Sequence, residues 1–175
     1  MYKLVKVESK YYDSIREYRE SMLKAKSSFD GCFMLDKYED IEKWHLYNQL
    51  FERADTCPPG YSIGIMYLYI HENEVIGMVN IRPDALNHPA LKQFGGHIGY
   101  SVKPEYRKMG VGKSMLKDVL TLCRQEYKLD KVLVTCFSNN EGSKRIIVEN
   151  GGILENEIVY PPENKLMQRY WVNLN

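Results

Sequence analysis

The sequence predicts an α+β domain spanning residues 1–175, in which a mixed, largely antiparallel sheet of about seven strands carries about four helices. Three observations lead there. Short runs rich in β-branched and aromatic residues are interspersed with stretches whose apolar residues recur at helical spacing. Polar turns, Glu72-Asn73-Glu74 and Pro161-Pro162-Glu163-Asn164, join neighbouring runs as antiparallel hairpins. The unit from His97 to Phe137 reads strand, helix, strand, which makes its two strands parallel.

Tyr2 to Val7 alternates as a first strand, and Tyr11, Ile15, Tyr18, Met22 and Ala25 then mark a helix broken by Ser27 to Gly31. Asp36 with Glu39 resembles a capping box and opens a second helix through Ile41, Trp44, Asn48 and Phe51. Cys57-Pro58-Pro59-Gly60 ends it. Ser62 to His71 and Val75 to Arg82 form the first hairpin. The loop Pro83 to Gly96 is long enough to suggest a functional role. His97 to Val102 is the fourth strand, and the helix after it buries Leu116, Leu120, Cys123 and Tyr127. Lys131 to Phe137, nearly continuous in Val and Leu, has the pattern of an interior strand. A short helix from Glu141 to Asn150 ends at Gly151, and Ile153 to Tyr160 with Leu166 to Leu174 closes the chain.

Composition narrows the function. Apolar residues make up 44% and charged residues 27%, ordinary values for a globular protein. Lys and Arg (24) almost cancel Asp and Glu (23), so no bulk basic field draws nucleic acid. Cys32, Cys57, Cys123 and Cys136 are widely spaced and no His stands in metal-ligand spacing, which predicts free thiols and no metal. The first residues lack a secretory apolar region and no run approaches a membrane span, so a cytoplasmic location is expected.

The stretch Arg107-Lys108-Met109-Gly110-Val111-Gly112 carries most of the chemistry. It lies between an apolar strand and a strongly helical segment, where the first helical amides lack intrahelical partners and the dipole favours an anion. A P-loop needs a wider glycine spacing before Lys113-Ser114, and a dinucleotide fingerprint needs a third glycine and an early position. What remains is Val-x-Pro-x-x-Arg-x-x-Gly-x-Gly, from Val102 to Gly112.

That motif resembles the acyl-CoA pyrophosphate loop of the GCN5-related N-acetyltransferases (GNAT). The order of elements matches that family along essentially the whole chain. Asn140-Glu141-Gly142-Ser143 through Asn150-Gly151-Gly152 is similar to a second family signature, and Gly95 to Val102 with Gln168 to Trp171 resembles a bacterial subgroup of acetyltransferases. The resemblance implies acetyl-CoA as co-substrate and a cleft where the fourth and fifth strands splay apart. It implies that the backbone of Tyr100, Ser101 and Val102 bonds the pantetheine arm, and that Arg107, Lys108, Met109, Gly110, Val111, Gly112 and Lys113 cradle the pyrophosphate. Lys113 and Ser114 are candidates for side-chain phosphate contacts, and Asn140 and Ser143 for contacts from the far side.

Acetyl transfer requires a neutral amine, and neutralising a lysine-like amine at pH 7 costs roughly 4–5 kcal/mol, so a general base is expected. Where many relatives have Glu this chain has His97, a candidate base, with a packed structural histidine as the alternative. The family's usual acid, a Tyr seven residues after the Asn, is replaced by Ile147. Tyr160 and Tyr170 are substitute donors, and water is another. Trp44, His45, Tyr47 and Phe51 are weaker candidates for an acceptor pocket, and Arg82 and Asn87 for contacts to acceptor or coenzyme.

The expected activity is direct N-acetylation of a small-molecule or peptide amine. The alternatives are a non-catalytic acyl-CoA-binding module that kept the fold, and O-acyl transfer or a longer acyl donor. A homodimer paired through Leu166 to Leu174 is a further expectation.

Overall fold

A computed structural model describes residues 1–175. Strand β1 (Tyr2–Lys6) leads into helices α1 (Tyr12–Lys24) and α2 (Ile41–Gln49), followed by the hairpin β2 (Ile65–His71) and β3 (Glu74–Ile81). After the loop come β4 (Ile98–Val102), α3 (Val111–Gln125), β5 (Lys131–Phe137), α4 (Glu141–Glu149), β6 (Ile153–Tyr160) and β7 (Lys165–Asn173). Two short helical turns, Ala85–Asn87 and Leu91–Gly95, occupy the loop between β3 and β4.

The strands divide into two antiparallel sheets, ordered β1-β2-β3-β4 and β5-β7-β6. The sequence predicts one mixed sheet whose β4 and β5 splay apart; the splay is present, since no ladder joins these strands and each presents a free edge to the other, and it is complete enough to leave two sheets. A second expectation is corrected by the same topology. Strand β7 lies between β5 and β6, with both edges hydrogen-bonded, so it has no edge left to pair across a dimer.

The core lies on both faces of the first sheet. Along β2, Ile65, Tyr67 and Tyr69 enter one cluster while Met66, Leu68 and Ile70 enter the other, as the two-residue period of a strand requires. One cluster packs α1 and α2 through Ile15, Tyr18, Met22 and Trp44. The other packs α3 (Met115, Leu116, Val119, Cys123) against both sheets, reaching Val132 and Val134 of β5 and Tyr170 and Val172 of β7. Helix α3 therefore bridges the gap that hydrogen bonds leave open. Helix α2 starts later than its capping-box reading: Asp36 falls in a separate turn, Tyr38 is extended, and Asp40 caps the helix by accepting from Lys43 N at 3.2 Å.

Candidate active site

The two sheets meet at one seam. His97 N donates to Leu133 O at 2.8 Å, and Leu133 N donates back to the His97 Nδ1 at 2.9 Å. Beyond this point β4 and β5 part, and a cleft of about 720 Å³ opens between Ile98–Val102 on one side and Thr135, Cys136 and Phe137 on the other.

At one end of the cleft lies the turn into α3. Lys108 and Gly110 both adopt left-handed backbone, φ 61° and φ 80°, and Gly110 caps the helix without a side-chain bond. The first bond of the helix is Ser114 N to Gly110 O at 3.1 Å, so the amides from Lys108 to Lys113 have no acceptor within the protein. Arg107 is anchored by Nε to Val102 O at 2.9 Å. Arg107, Lys108 and Gly112 line the cleft, whereas Met109 is exposed, Val111 is in the core and Lys113 pairs with Glu149 of α4 at 3.2 Å. Ser114 does not reach the cleft wall.

Helix α4 closes the same side. Asn140 Oδ1 caps it by accepting from Ser143 N at 3.0 Å, which leaves the Asn140 amide nitrogen free beside the cleft. The Tyr100 hydroxyl crosses from β4 to Ser143 Oγ at 2.8 Å. Burial raises the Tyr100 pKa, so the phenol stays protonated at neutral pH. Ser101, on the opposite face of β4, bonds the Tyr18 hydroxyl of α1 at 2.9 Å and the Cys32 thiol at 3.1 Å. Burial pushes the Cys32 thiol up to about 12.

The other end is built from the α1–α2 connection and the loop before β4. A Cβ on Gly31 would lie 2.4 Å from Gly99 O, so only glycine lets this connection rest directly on β4. Asp30, Ser27 and Ser28 join Gly31 in the wall. Arg82 donates from Nε to Gly96 O (3.0 Å) and from Nη2 to Gly95 O (2.8 Å). Thr135 Oγ1 donates to Phe94 O at 2.6 Å, tying the loop to β5.

His97 does not face this space. It lines a separate cavity of about 400 Å³ with Asp84, Asn87 and Asp130. The Leu133 N–H requires a bare Nδ1, so the neutral ring carries its proton on Nε2 and has no lone pair free to accept another. Burial lowers the imidazole pKa, and the Arg82 cation adds to the effect. The base role expected for His97 does not fit this geometry. Neither do the two expected acids: buried Tyr170 donates to Gln168 Oε1 at 2.6 Å, and Tyr160 stacks edge-on behind the cleft residues Phe94 and Phe137. Ile147 is packed in the core. Trp44 is likewise buried, with Nε1 donating to Cys32 O and Phe33 O, and Asn87 falls on the separate cavity.

Sequence reasoning found the anion turn, Asn140 and Ser143 but missed Tyr18, Asp30, Gly31, Phe94 and Thr135 in or behind the cleft wall. Tyr18 carried only the signal of a packed helical stripe, and Ser27 to Gly31 only that of a helix stop.

A strand pair splayed beside unpartnered helix-terminal amides is the arrangement the structure presents at this cleft. The model of the acetyltransferase (GNAT) family matches residues 16–151, and the chain belongs to that family. Solved structures share the fold at low identity. A ribosomal L7/L12 α-N-protein acetyltransferase in complex with coenzyme A is 17% identical, with TM-score 0.71 over 98% of this chain and 93% of its own. The ribosomal-protein-S5-alanine acetyltransferase of Vibrio fischeri is 16% identical, with TM-score 0.70 over 99% and 93%. A spermidine N-acetyltransferase chimera from Vibrio cholerae and hSSAT is 13% identical, with TM-score 0.67 over 99% and 95%. No curated protein matches the chain in sequence. No helix is long and apolar enough to cross a membrane, and no group of three His, Cys, Asp or Glu could hold a metal ion.

Proposed function

We propose that this protein transfers an acetyl group from acetyl-CoA directly to a primary amine of a small molecule or peptide. The observation that carries the reading is the row of unpartnered amides from Lys108 to Lys113, opening beside Arg107 and Lys108 into the β4/β5 cleft. These groups suit a diphosphate. The free edge of β4 at Tyr100 to Val102 and the Asn140 amide suit the amide-bearing arm that follows it. The acceptors named for the structural neighbours, a polyamine and protein α-amines, are amines too.

The nitrogen lone pair attacks the thioester carbon, a C–N bond forms, the C–S bond breaks and the thiolate leaves. Asp30 is the single carboxylate in the cleft wall, which holds no histidine, and it passes the nitrogen's proton to solvent. Backbone N–H groups on the open edge of β4 stabilise the oxyanion. Cys136 lines the cleft, but burial pushes its thiol up to about 11, so it stays protonated and a poor nucleophile. That favours direct transfer over an acyl-enzyme. The burial of Ile147, where relatives place a donor, favours as a second reading an acyl-CoA-binding module without turnover.

Calorimetry with coenzyme A, followed by thiol release from acetyl-CoA across an amine panel, tests both. Binding with turnover is expected; binding without turnover on any amine selects the second reading, and no binding overturns both. Gly110→Val, which places a β-branched residue at φ 80°, should weaken coenzyme affinity by about tenfold or more.

A further inference from the structure

The cleft has two chemically different ends, on opposite faces of β4. Tyr100 points to α4 and the amides of the anion turn, while Gly99 and Ser101 face α1 and its following connection. With the phosphates placed at the first end, the second end, walled by Asp30, Gly31, Arg82 and Phe94, is where an acceptor meets the thioester.

Arg82 is unusual among the charged groups there. Its side chain is half-buried, and burial lowers its guanidinium pKa to about 10, which leaves it charged at neutral pH. Nε and Nη2 are committed to the carbonyls of Gly96 and Gly95. Nη1 has no partner, and the residue belongs to no ion pair. Its Nη2 sits 3.3 Å from the place a Cβ on Gly99 would occupy, and Gly31 Cα is equally close to that point. The guanidinium and the Asp30–Gly31 segment therefore flank the same spot on β4. Asp30 acts on Arg82 through space but forms no ion pair with it; its Oδ2 accepts from Ser28 Oγ at 2.6 Å. Arg82 lines the cleft with Nη1 unpartnered, and a part-buried cation in a ligand cleft is completed by an anion from the ligand. The coenzyme's diphosphate is held at the opposite end, so the anion belongs to the acceptor.

We infer that the acceptor is an amine bearing a carboxylate close to its nitrogen, in the manner of a free amino acid, with Arg82 Nη1 binding the carboxylate and Asp30 facing the amine. This rests on the acetyltransferase reading. The charge pattern disfavours a polyamine, because Lys26 and Arg82 stand against the lone Asp30 in this wall.

The test uses matched acceptors, phenylalanine, phenylalaninamide and phenethylamine, with parallel sets built on leucine and glutamate, at saturating acetyl-CoA. The carboxylated member of each set should have the higher kcat/KM by about tenfold or more. Arg82→Gln and Arg82→Lys should bring the ratio towards one while the Kd for coenzyme A changes by less than about twofold. The unchanged Kd reports that the variants are folded. If coenzyme A binds but no member turns over, calorimetric titration of the same sets into the wild-type complex decides: tighter binding of the carboxylated members upholds the site. Equal binding or turnover across a set, or a preference that survives in Arg82→Gln, overturns it. Failure to bind coenzyme A overturns the underlying reading and the inference with it, and is seen before any acceptor is added.

Discussion

Gly110 and Gly112 stand two residues apart in one motif yet answer to different constraints. Gly110 has φ 80° and open space where a Cβ would go, so its requirement is conformational. Gly112 has helical backbone, but its Cβ would meet Ile146 Cδ1 at 2.5 Å, so its requirement is the packing of α3 on α4. Gly110→Ala should cost about 1–2 kcal/mol of stability, measured by urea denaturation, from the left-handed backbone alone. Gly112→Ala should cost less, because a rotation of the Ile146 tip relieves it. The motif was legible because its residues are contiguous and their backbone demands are local. Arg82, Asp30 and Tyr18 were not legible as a site, because only the tertiary fold brings the β3 end, the α1–α2 connection and α1 to one strand. His97 had two readings in the sequence, a base or a structural histidine, and the structure supports the second: its ring nitrogen accepts from a backbone N–H.

Two helix caps separate stability from binding at the level of elements. Asp40 accepts from Lys43 N at the start of α2, far from the cleft wall, while Asn140 accepts from Ser143 N at the start of α4 within it. Each substitution to Ala should lower stability by about 1 kcal/mol, read from thermal melts. Only Asn140→Ala should also weaken coenzyme binding in calorimetry. The number and order of strands and helices were readable from hydrophobic period and turn residues. The gap between β4 and β5 was expected only through the family resemblance: a strand–helix–strand unit fixes direction, whereas the gap is set by where α3 wedges and by the single His97–Leu133 seam.

That seam couples the whole molecule to pH. The Leu133 N–H can be satisfied only by unprotonated His97, and burial holds the imidazole pKa below its ordinary value of 6.5. Above about pH 6.5 the folded and unfolded chains are both neutral at this residue and the full stabilisation is present. As pH falls from there through the lower folded-state pKa, the unfolded state binds the proton first, so stability declines with acidification. Thermal melts from pH 7 to 5 should show the decline, and His97→Asn, whose carbonyl oxygen still accepts from Leu133 N, should flatten it. His97→Ala should instead lower stability at every pH by about 1–3 kcal/mol, by orphaning a buried amide.

The position of β7 has a practical corollary for anyone shortening this chain. The final stretch is the middle plank of its sheet, and Leu174 N still donates to Asp130 O at 2.8 Å. A version cut after Pro162 would not shed a loose tail; β5 and β6 would lose their shared neighbour, and the β5 wall of the cleft would come apart. Deletions within Lys165–Asn173 therefore remove structure, not slack.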